Sequence, residues 1–482
     1  MSTQSVTHQL GGTQPGKTHS SDNPTFTVEN PATGETIGDV LDCGEGEAIA
    51  ALDAAVSAAT YWAGTSPRLR SDVLYAGATA LLDHRDELAE LITLEMGKPI
   101  AEARGEVAYA ADFMRWFAEE ASRIRGTTSD APTGNLTLTT RRRPVGPCLL
   151  ITPWNFPLAM AARKIAPALA AGCTVVVKPA TLTPLTTLRF AELLSGCGVP
   201  EGVINVVTTT RPREVIEPLL ADSRLRKLSF TGSTGVGSRL LASAAPNVLR
   251  TSMELGGNAP FIVFEDSDLE AAVAGAAIAK LRNTGQACTA ANRFLVHERV
   301  LERFTDLLVT HMAGLKVGPG ADESVTLGPM IDAKAVLSVD SLVQDAVKRG
   351  ARVRIGGAAF GTQGHFYLPT VLTDIPEDAQ ILHDEIFGPV APIISFSDEA
   401  EAVALANATQ YGLVAYAYTK DADRIDRLQR SLEVGMIGIN TGLVSNAAAP
   451  FGGVKHSGLG REGGAEGIDE YLETVYVARP RG

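Results

Sequence analysis

The chain has 482 residues, 45% hydrophobic and 20% charged, the balance of a soluble globular protein large enough for more than one core. A formal charge of −13, from 42 Lys and Arg against 55 Asp and Glu, argues against a nucleic-acid-binding surface but leaves room for a local basic pocket that takes a small anion. Five cysteines, an odd number with no CxxC pair, argue against a disulfide scaffold or a bound metal and fit free thiols in a reducing, cytoplasmic setting.

Residues 1–22 form a polar tail without the apolar core of a signal peptide. The tail contains Gly11-Gly-Thr-Gln-Pro-Gly-Lys17-Thr18, which matches a phosphate-binding P-loop pattern. No apolar strand precedes it and no helix-forming run follows, so the backbone amides have nothing to converge them on a phosphate. Residues 25–40 read as short strands broken at Asn30-Pro31 and Gly34. Apolar spacing of three and four predicts helices over 47–62, 67–96 and 101–122, with Pro67 as a start and Gly97-Lys98-Pro99 as a stop. Residues 126–144 read as an exposed hairpin. The run Arg141-Arg142-Arg143 fits a solvated edge that resists unwanted pairing, with a subunit contact as the alternative.

From residue 148 the pattern becomes regular. Strand-like runs at 148–152, 174–178, 203–207, 226–230 and 248–253 alternate with helical stretches such as 157–171 and 184–197. That alternation predicts a parallel sheet with helices on both faces and ligands beyond the carboxyl ends of the strands. Thr152–Asn155, Lys178–Thr181 and Thr231–Thr234 would then surround one crevice. A second α/β segment covers 256–439. Gly458-Leu-Gly460-Arg-Glu-Gly463 has the GxGxxG spacing but follows Lys455-His456-Ser457 rather than an apolar strand, so it reads as a tight glycine-rich loop. The alternating stretch 467–479 reads as a strand added to a partner's sheet. No run of ~18 apolar residues, the length a membrane helix needs, occurs anywhere.

Three segments carry chemistry together. Cys288, at the end of Asn283-Thr-Gly-Gln-Ala-Cys, taken alone fits an inert core thiol. Glu254, at a strand end before Leu255-Gly256-Gly257, adds a carboxylate, and Asn155, in Trp154-Asn-Phe-Pro157, adds an amide donor. Nucleophile, base and oxyanion donor are the parts that acyl chemistry requires.

These segments resemble the aldehyde dehydrogenase superfamily over nearly the whole chain from about Asn23. The order Trp154-Asn-Phe-Pro157, Lys178-Pro-Ala180, Phe230-Thr-Gly-Ser233, Glu254-Leu-Gly-Gly257, Gly285-Gln-Ala-Cys288, Glu385-Ile-Phe-Gly-Pro389 and Phe451-Gly-Gly is that family's order. The resemblance implies an α/β fold with a Rossmann-type cofactor domain (23–125 and 146–253), an α/β catalytic domain (254–445) and a small β oligomerisation element (126–145 and 466–482). It implies Cys288 as nucleophile, Asn155 and the Cys288 N–H as oxyanion donors, and Glu254 as the base for hydrolysis. A catalytically silent member would have lost the Cys or the Glu, and both are present.

The resemblance also implies a nicotinamide dinucleotide held by Thr152, Trp154, Asn155, Lys178, Ala180, Thr181, Gly232, Ser233, Leu255, Glu385 and Phe387. Core packing is the competing role for Phe387. NAD-preferring relatives often carry Glu where this chain has Thr181. A hydroxyl can donate to a 2′-phosphate where a carboxylate repels it, so NADP is expected, with NAD possible. Residues 208–212 depart from the family's glycine-rich turn near the adenine.

Within the superfamily the chain most resembles the succinate-semialdehyde dehydrogenases, in which Arg163, Arg282 and Ser445 would hold the substrate's distal carboxylate. Two guanidiniums and a hydroxyl suit that anion. Ion-paired arginines without a substrate role are the alternative. Residues 446–449 depart from the family wording, which leaves glutarate semialdehyde as a competing substrate. Ala290 stands where some relatives carry a second Cys, so no local disulfide switch is expected. The expected partners are a small carboxylate-bearing aldehyde and further copies of the chain, as a homodimer or homotetramer, with neither nucleic acid nor membrane.

Overall fold

A computed structural model describes residues 24–481. The P-loop match at 11–18 lies outside the described residues. The chain opens with an antiparallel pair, β1 (Thr25–Glu29) and β2 (Thr36–Leu41), then four helices: α1 (Glu45–Gly64), α2 (Pro67–Asp83), α3 (Arg85–Met96) and α4 (Ile100–Ala121). The single helix expected over 67–96 is two. His84 leaves helical geometry at φ −102° and ψ 23°, and Asp86 and Glu87 open α3, where carboxylates favour a helix N-terminus.

The expected hairpin forms from β3 (Thr128–Asp130) and β4 (Leu136–Pro144). Next come β5 (Cys148–Ile151), α5 (Pro157–Ala171), β6 (Val175–Lys178), α6 (Leu185–Gly196), β7 (Ile204–Val206), α7 (Pro212–Ala221), β8 (Lys227–Thr231), α8 (Thr234–Ala244) and β9 (Arg250–Glu254). These five strands are mutually parallel in the order β9-β8-β5-β6-β7. Each falls within two residues of its predicted start.

α5 is buried along all 15 residues. Pro157 sits at its first turn, where a missing N–H costs nothing, and its alanines let neighbours approach from every side. Arg163 and Lys164 are carried inward on the same helix, so each needs a buried counter-charge.

The second segment supplies β10 (Ala259–Val263), α9 (Leu269–Leu281), β11 (Ala291–His297), α10 (Leu301–Ala313), α11 (Ala333–Arg349), β12 (Arg352–Ile355), the short pair β13 (Ala359–Phe360) and β14 (Phe366–Tyr367), β15 (Thr370–Thr373), β16 (Val390–Phe396), α12 (Glu399–Asn407), β17 (Val414–Tyr418), α13 (Ala422–Ser431) and β18 (Met436–Ile439). Its sheet has seven strands in the order β12-β15-β16-β11-β10-β17-β18, with only β12 antiparallel. Glu254 ends the first sheet, and Cys288 lies between α9 and β11 of the second, so the chemistry collects where the sheets meet.

The chain then returns to the first sheet. Gly458–Leu459, β19, pairs antiparallel with β9, setting Gly458 opposite Glu254. Gly458 has φ +136°, and a Cβ there would meet the Met253 carbonyl oxygen at 1.9 Å, so the glycine-rich segment is the tight loop expected and no dinucleotide fingerprint. After α14 (Glu466–Asp469), β20 (Leu472–Pro480) pairs with β4 of the same chain over nine positions.

Two expectations therefore change. The C-terminal strand completes its own chain's sheet, because hydrogen bonds to β4 satisfy it. The arginine run lies on the central strand of the order β20-β4-β3, not on an edge. There Arg142 pairs with Asp469, and Arg143 with Glu473 at 3.5 Å. No helix of the described residues is long and apolar enough to cross a membrane.

Candidate active site

The loop that carries Cys288 is unusual backbone. Asn283, Thr284 and Gly285 have φ of +54°, +58° and +75° in succession. The first two positions are costly for residues with a Cβ, on the order of 1–3 kcal/mol each. Gly285 is required, since a Cβ there would stand 2.2 Å from the Gly388 oxygen.

Buried side chains over-determine this shape. Glu102 accepts from the Asn283 N–H at 2.6 Å, and the Asn283 amide donates to the Asn155 and Gln286 carbonyls at 2.9 and 3.0 Å. Gln286 donates to the Asn283 and Pro329 carbonyls and accepts from the Ile331 N–H at 2.8 Å. Thr284 donates to the Gly328 carbonyl at 3.1 Å.

Asn155 follows β5 and is held by α4. Lys98, just ahead of α4, donates to the Asn155 carbonyl at 2.8 Å and to Glu106 at 2.5 Å. Glu106 also accepts the Leu158 and Ala159 N–H groups at 2.9 and 3.1 Å, filling the open amino end of α5. The Asn155 amide gives one hydrogen to the Gln286 carbonyl at 3.0 Å, which leaves its second free. The Cys288 N–H also has no partner among the described residues. Glu254, at the end of β9, is buried, and neither carboxyl oxygen has a hydrogen-bond partner among the described residues.

These groups open on one cavity of about 530 Å³. Cys288, Glu254, Asn155, Trp154, Gly232, Ser233, Leu255, Glu385, Phe387, Arg163, Arg282 and Ser445 all line it, so twelve separately predicted residues come together. Phe387 packs edge-on against Trp154 at 5.4 Å with φ +51°, which makes it cavity wall held in a strained conformation rather than plain core. Thr152, Lys178, Ala180 and Thr181 do not line this cavity. They lie just beyond β5 and at the end of β6.

The two arginines differ. Arg163 is 2% exposed, pairs with Glu462 at 2.8 Å and lies 3.9 Å from the Phe451 ring centroid. Glu462 also takes Lys164 at 2.5 Å, so one carboxylate serves both buried cations of α5 and leaves the cluster net positive. Arg282 forms no ion pair among the described residues. It reaches Thr289 at 3.4 Å and stands 5.3 Å from the Phe156 ring.

Sequence reasoning missed Glu462, Lys98, Glu102, Glu106 and Tyr109. Only the last three had a local signal: polar residues at three- and four-residue spacing on the inner face of α4.

Burial disfavours the charged forms of the site's acids. Burial pushes the Cys288 thiol up to about 12, against the pull of Arg163 and Arg282. Burial, then the charge of Glu462, holds the Glu254 carboxyl well above its ordinary range. Burial raises Glu385 to about 7 although it accepts from the Gly257 N–H at 3.1 Å. A thiol, a high-pKa carboxyl, an amide and a backbone donor around one space can add to a carbonyl, hold the oxyanion and move protons.

Residues 18–477 match the model of the aldehyde dehydrogenase family. The chain is 56% identical over 431 residues to the succinate-semialdehyde dehydrogenase of Paenarthrobacter nicotinovorans, covering 89% of this chain and 96% of that one. It is 49% identical to the glutarate-semialdehyde dehydrogenase of Pseudomonas aeruginosa, over 94% of each. The crystal structure of an E. coli NADP dependent enzyme superposes with a TM-score of 0.97 at 46% identity, over 99% of both chains. This chain is an aldehyde dehydrogenase.

The family's nicotinamide dinucleotide can be tested against the crevice. The buried hydroxyls of Thr152 and Thr231 have no partner among the described residues. Ser233 precedes the 11-residue helix α8 without a side-chain cap and lines the cavity with Gly232, whose own N–H is given to the Glu254 carbonyl at 3.0 Å. Unsatisfied donors at a helix N-terminus suit a pyrophosphate. Lys178, pushed down to about 8 by burial, donates among the described residues only to the Pro179 carbonyl. The residues fit.

Thr181 already gives its hydroxyl hydrogen to the Thr209 carbonyl at 2.7 Å, so in this conformation it does not donate to a phosphate. What remains at that position is the absence of a repelling carboxylate.

Proposed function

We propose that this aldehyde dehydrogenase oxidises succinate semialdehyde to succinate, with NADP preferred over NAD. The observation that carries the substrate is Arg282, a guanidinium without an ion pair among the described residues, in the same cavity as Cys288. Arg282 is half-buried, and a partly desolvated cation without a counter-charge favours a substrate that brings a carboxylate. Arg163, fixed by Glu462, adds positive potential, and Ser445 adds a hydroxyl.

Cys288, its thiol proton given up to solvent water, adds as the thiolate to the aldehyde carbon. The Asn155 amide and the Cys288 N–H hold the resulting oxyanion, each such donor lowering the barrier by about 3–4 kcal/mol. The cofactor, when bound, supplies the hydride acceptor that turns the thiohemiacetal into a thioester. Glu254 takes a proton from water, which attacks the thioester, releases the carboxylic acid and returns the thiol. Thr152, Trp154, Leu255, Glu385 and Phe387 would flank the nicotinamide end. Lys178, Ala180 and Thr181 would meet the adenosine side, and Gly232 with Ser233 the pyrophosphate.

Glutarate semialdehyde is the second reading. It is favoured by the 49% identity to a glutarate-semialdehyde dehydrogenase and by a clamp that reads charge rather than length. We place the enzyme in the cytoplasm, where its five unpaired thiols suit a reducing environment. We place its subunit contacts on the sheet formed by β3, β4 and β20, as a dimer or tetramer.

The test follows nicotinamide absorbance with both semialdehydes and with butanal, using NADP and NAD separately. The four-carbon semialdehyde with NADP is expected to give the highest kcat/KM. Faster turnover of butanal would refute the carboxylate clamp, and a strong preference for NAD would refute the cofactor assignment.

A further inference from the structure

Glu102, Glu106, Tyr109 and Phe113 recur along α4 at spacings of four, three and four, which places them on one helix face. Glu102 and Glu106 are spent on the Cys288 loop and the Asn155 segment. Tyr109 has no such duty. Its ring packs edge-on against Phe113 at 4.8 Å, and it lines the cavity with Arg163, Arg282 and Ser445. Its hydroxyl oxygen is buried beside Ser445, and no group among the described residues accepts the phenolic hydrogen. A phenol is normally partnered when buried, and leaving its O–H dry is unfavourable.

We propose that Tyr109 is a specificity-determining residue whose phenolic O–H donates to the distal carboxylate of the aldehyde, as a third arm beside Arg163 and Arg282. This rests on the ω-carboxy aldehyde reading of the same cavity. The chemistry selects the ligand. A phenol that stays protonated offers one directional hydrogen, and a carboxylate is the acceptor-only group that two neighbouring guanidiniums already favour. Burial keeps the phenol's pKa raised, while Arg163, then Arg282, then Ser445 work against that shift, so the hydroxyl is an O–H donor at neutral pH. An uncharged aldehyde leaves this hydrogen unsatisfied. A site built to bond a polar group rejects the analogue that lacks it.

Tyr109→Phe keeps the ring and its contact with Phe113 while removing the hydroxyl. Steady-state kinetics with saturating NADP would compare it with wild type and Arg282→Ala, on succinate semialdehyde and on butanal. For Tyr109→Phe we expect KM for the semialdehyde to rise about tenfold, the scale of one hydrogen bond to a charged acceptor. We expect kcat within about twofold and a KM for butanal that falls or stays level while that for the semialdehyde rises, a split that a general loosening of α4 would not produce. An unchanged semialdehyde KM in Tyr109→Phe, with a raised one in Arg282→Ala, overturns the role of Tyr109 and leaves the clamp standing. If neither variant discriminates between the aldehydes, the carboxylate clamp itself fails and this inference with it.

Discussion

Cys288 must be both silent and reactive. Burial lifts its thiol to about 12, while Arg163 and then Arg282 oppose that shift. Below that value each pH unit changes the thiolate fraction tenfold, so Cys288 alkylation by iodoacetamide should climb about tenfold per unit from pH 7 to 10 without a plateau. Arg282→Ala removes a stabilising cation and should slow alkylation at every pH in that range. A plateau near pH 8, followed by mass spectrometry of the Cys288 peptide, would contradict the buried-thiol picture. Glu254 acts later in the proposed cycle. Glu254→Gln keeps the shape but cannot take water's proton, so stopped-flow absorbance should show a burst of about one reduced cofactor per subunit, then a steady rate at least tenfold below wild type. Cys288, Glu254 and Asn155 were legible because each sits in a short motif that its chemistry requires. Glu462 was not, since it pairs with Lys164 across 298 positions of sequence and nothing local marks it.

Helix α4 is the element that assembles the site. Its amino end brings Lys98 and Glu106, both buried, to the start of α5, and through them fixes the Asn155 carbonyl and two amides of α5. Removing one member leaves the other charge buried alone, which typically costs about 3–5 kcal/mol. Glu106→Ala should therefore lower the urea midpoint by that equivalent. It should also reduce kcat more than KM, because the Asn155 donor shifts relative to the developing oxyanion. Unchanged stability would mean water or another group compensates Lys98. At this scale most of the fold was readable. Apolar alternation placed β5 to β9, and three- and four-residue spacing placed α1 to α4. The break at His84 was not, because apolar periodicity runs through it and a local turn decides. The partner of β20 was also hidden, because a strand of alternating residues does not say which edge it joins.

The three-stranded sheet is where the whole molecule meets its copies in our reading. β20 fills one side of β4 but leaves its own outer edge without a strand, and it carries Tyr476 at 59% exposure and Val477 at 38%. An open edge with exposed apolar side chains is a template for a further strand unless something covers it. Of the charged residues on β20 itself, only Arg479 stands exposed and without an ion pair among the described residues. Arg142 and Arg143 are turned to Asp469 and Glu473 within the chain, and Arg481 to Asp130 at 2.9 Å. Covering β20 with a second subunit satisfies both the backbone groups and the tyrosine. Tyr476→Asp places a charge on that seam without touching the cavity. Size-exclusion chromatography with light scattering should show the wild-type chain as a dimer or tetramer and Tyr476→Asp shifted toward monomer. Activity per active site should fall only as the protein is diluted into the monomeric range. A variant that keeps the wild-type assembly would move the subunit contact elsewhere on the surface.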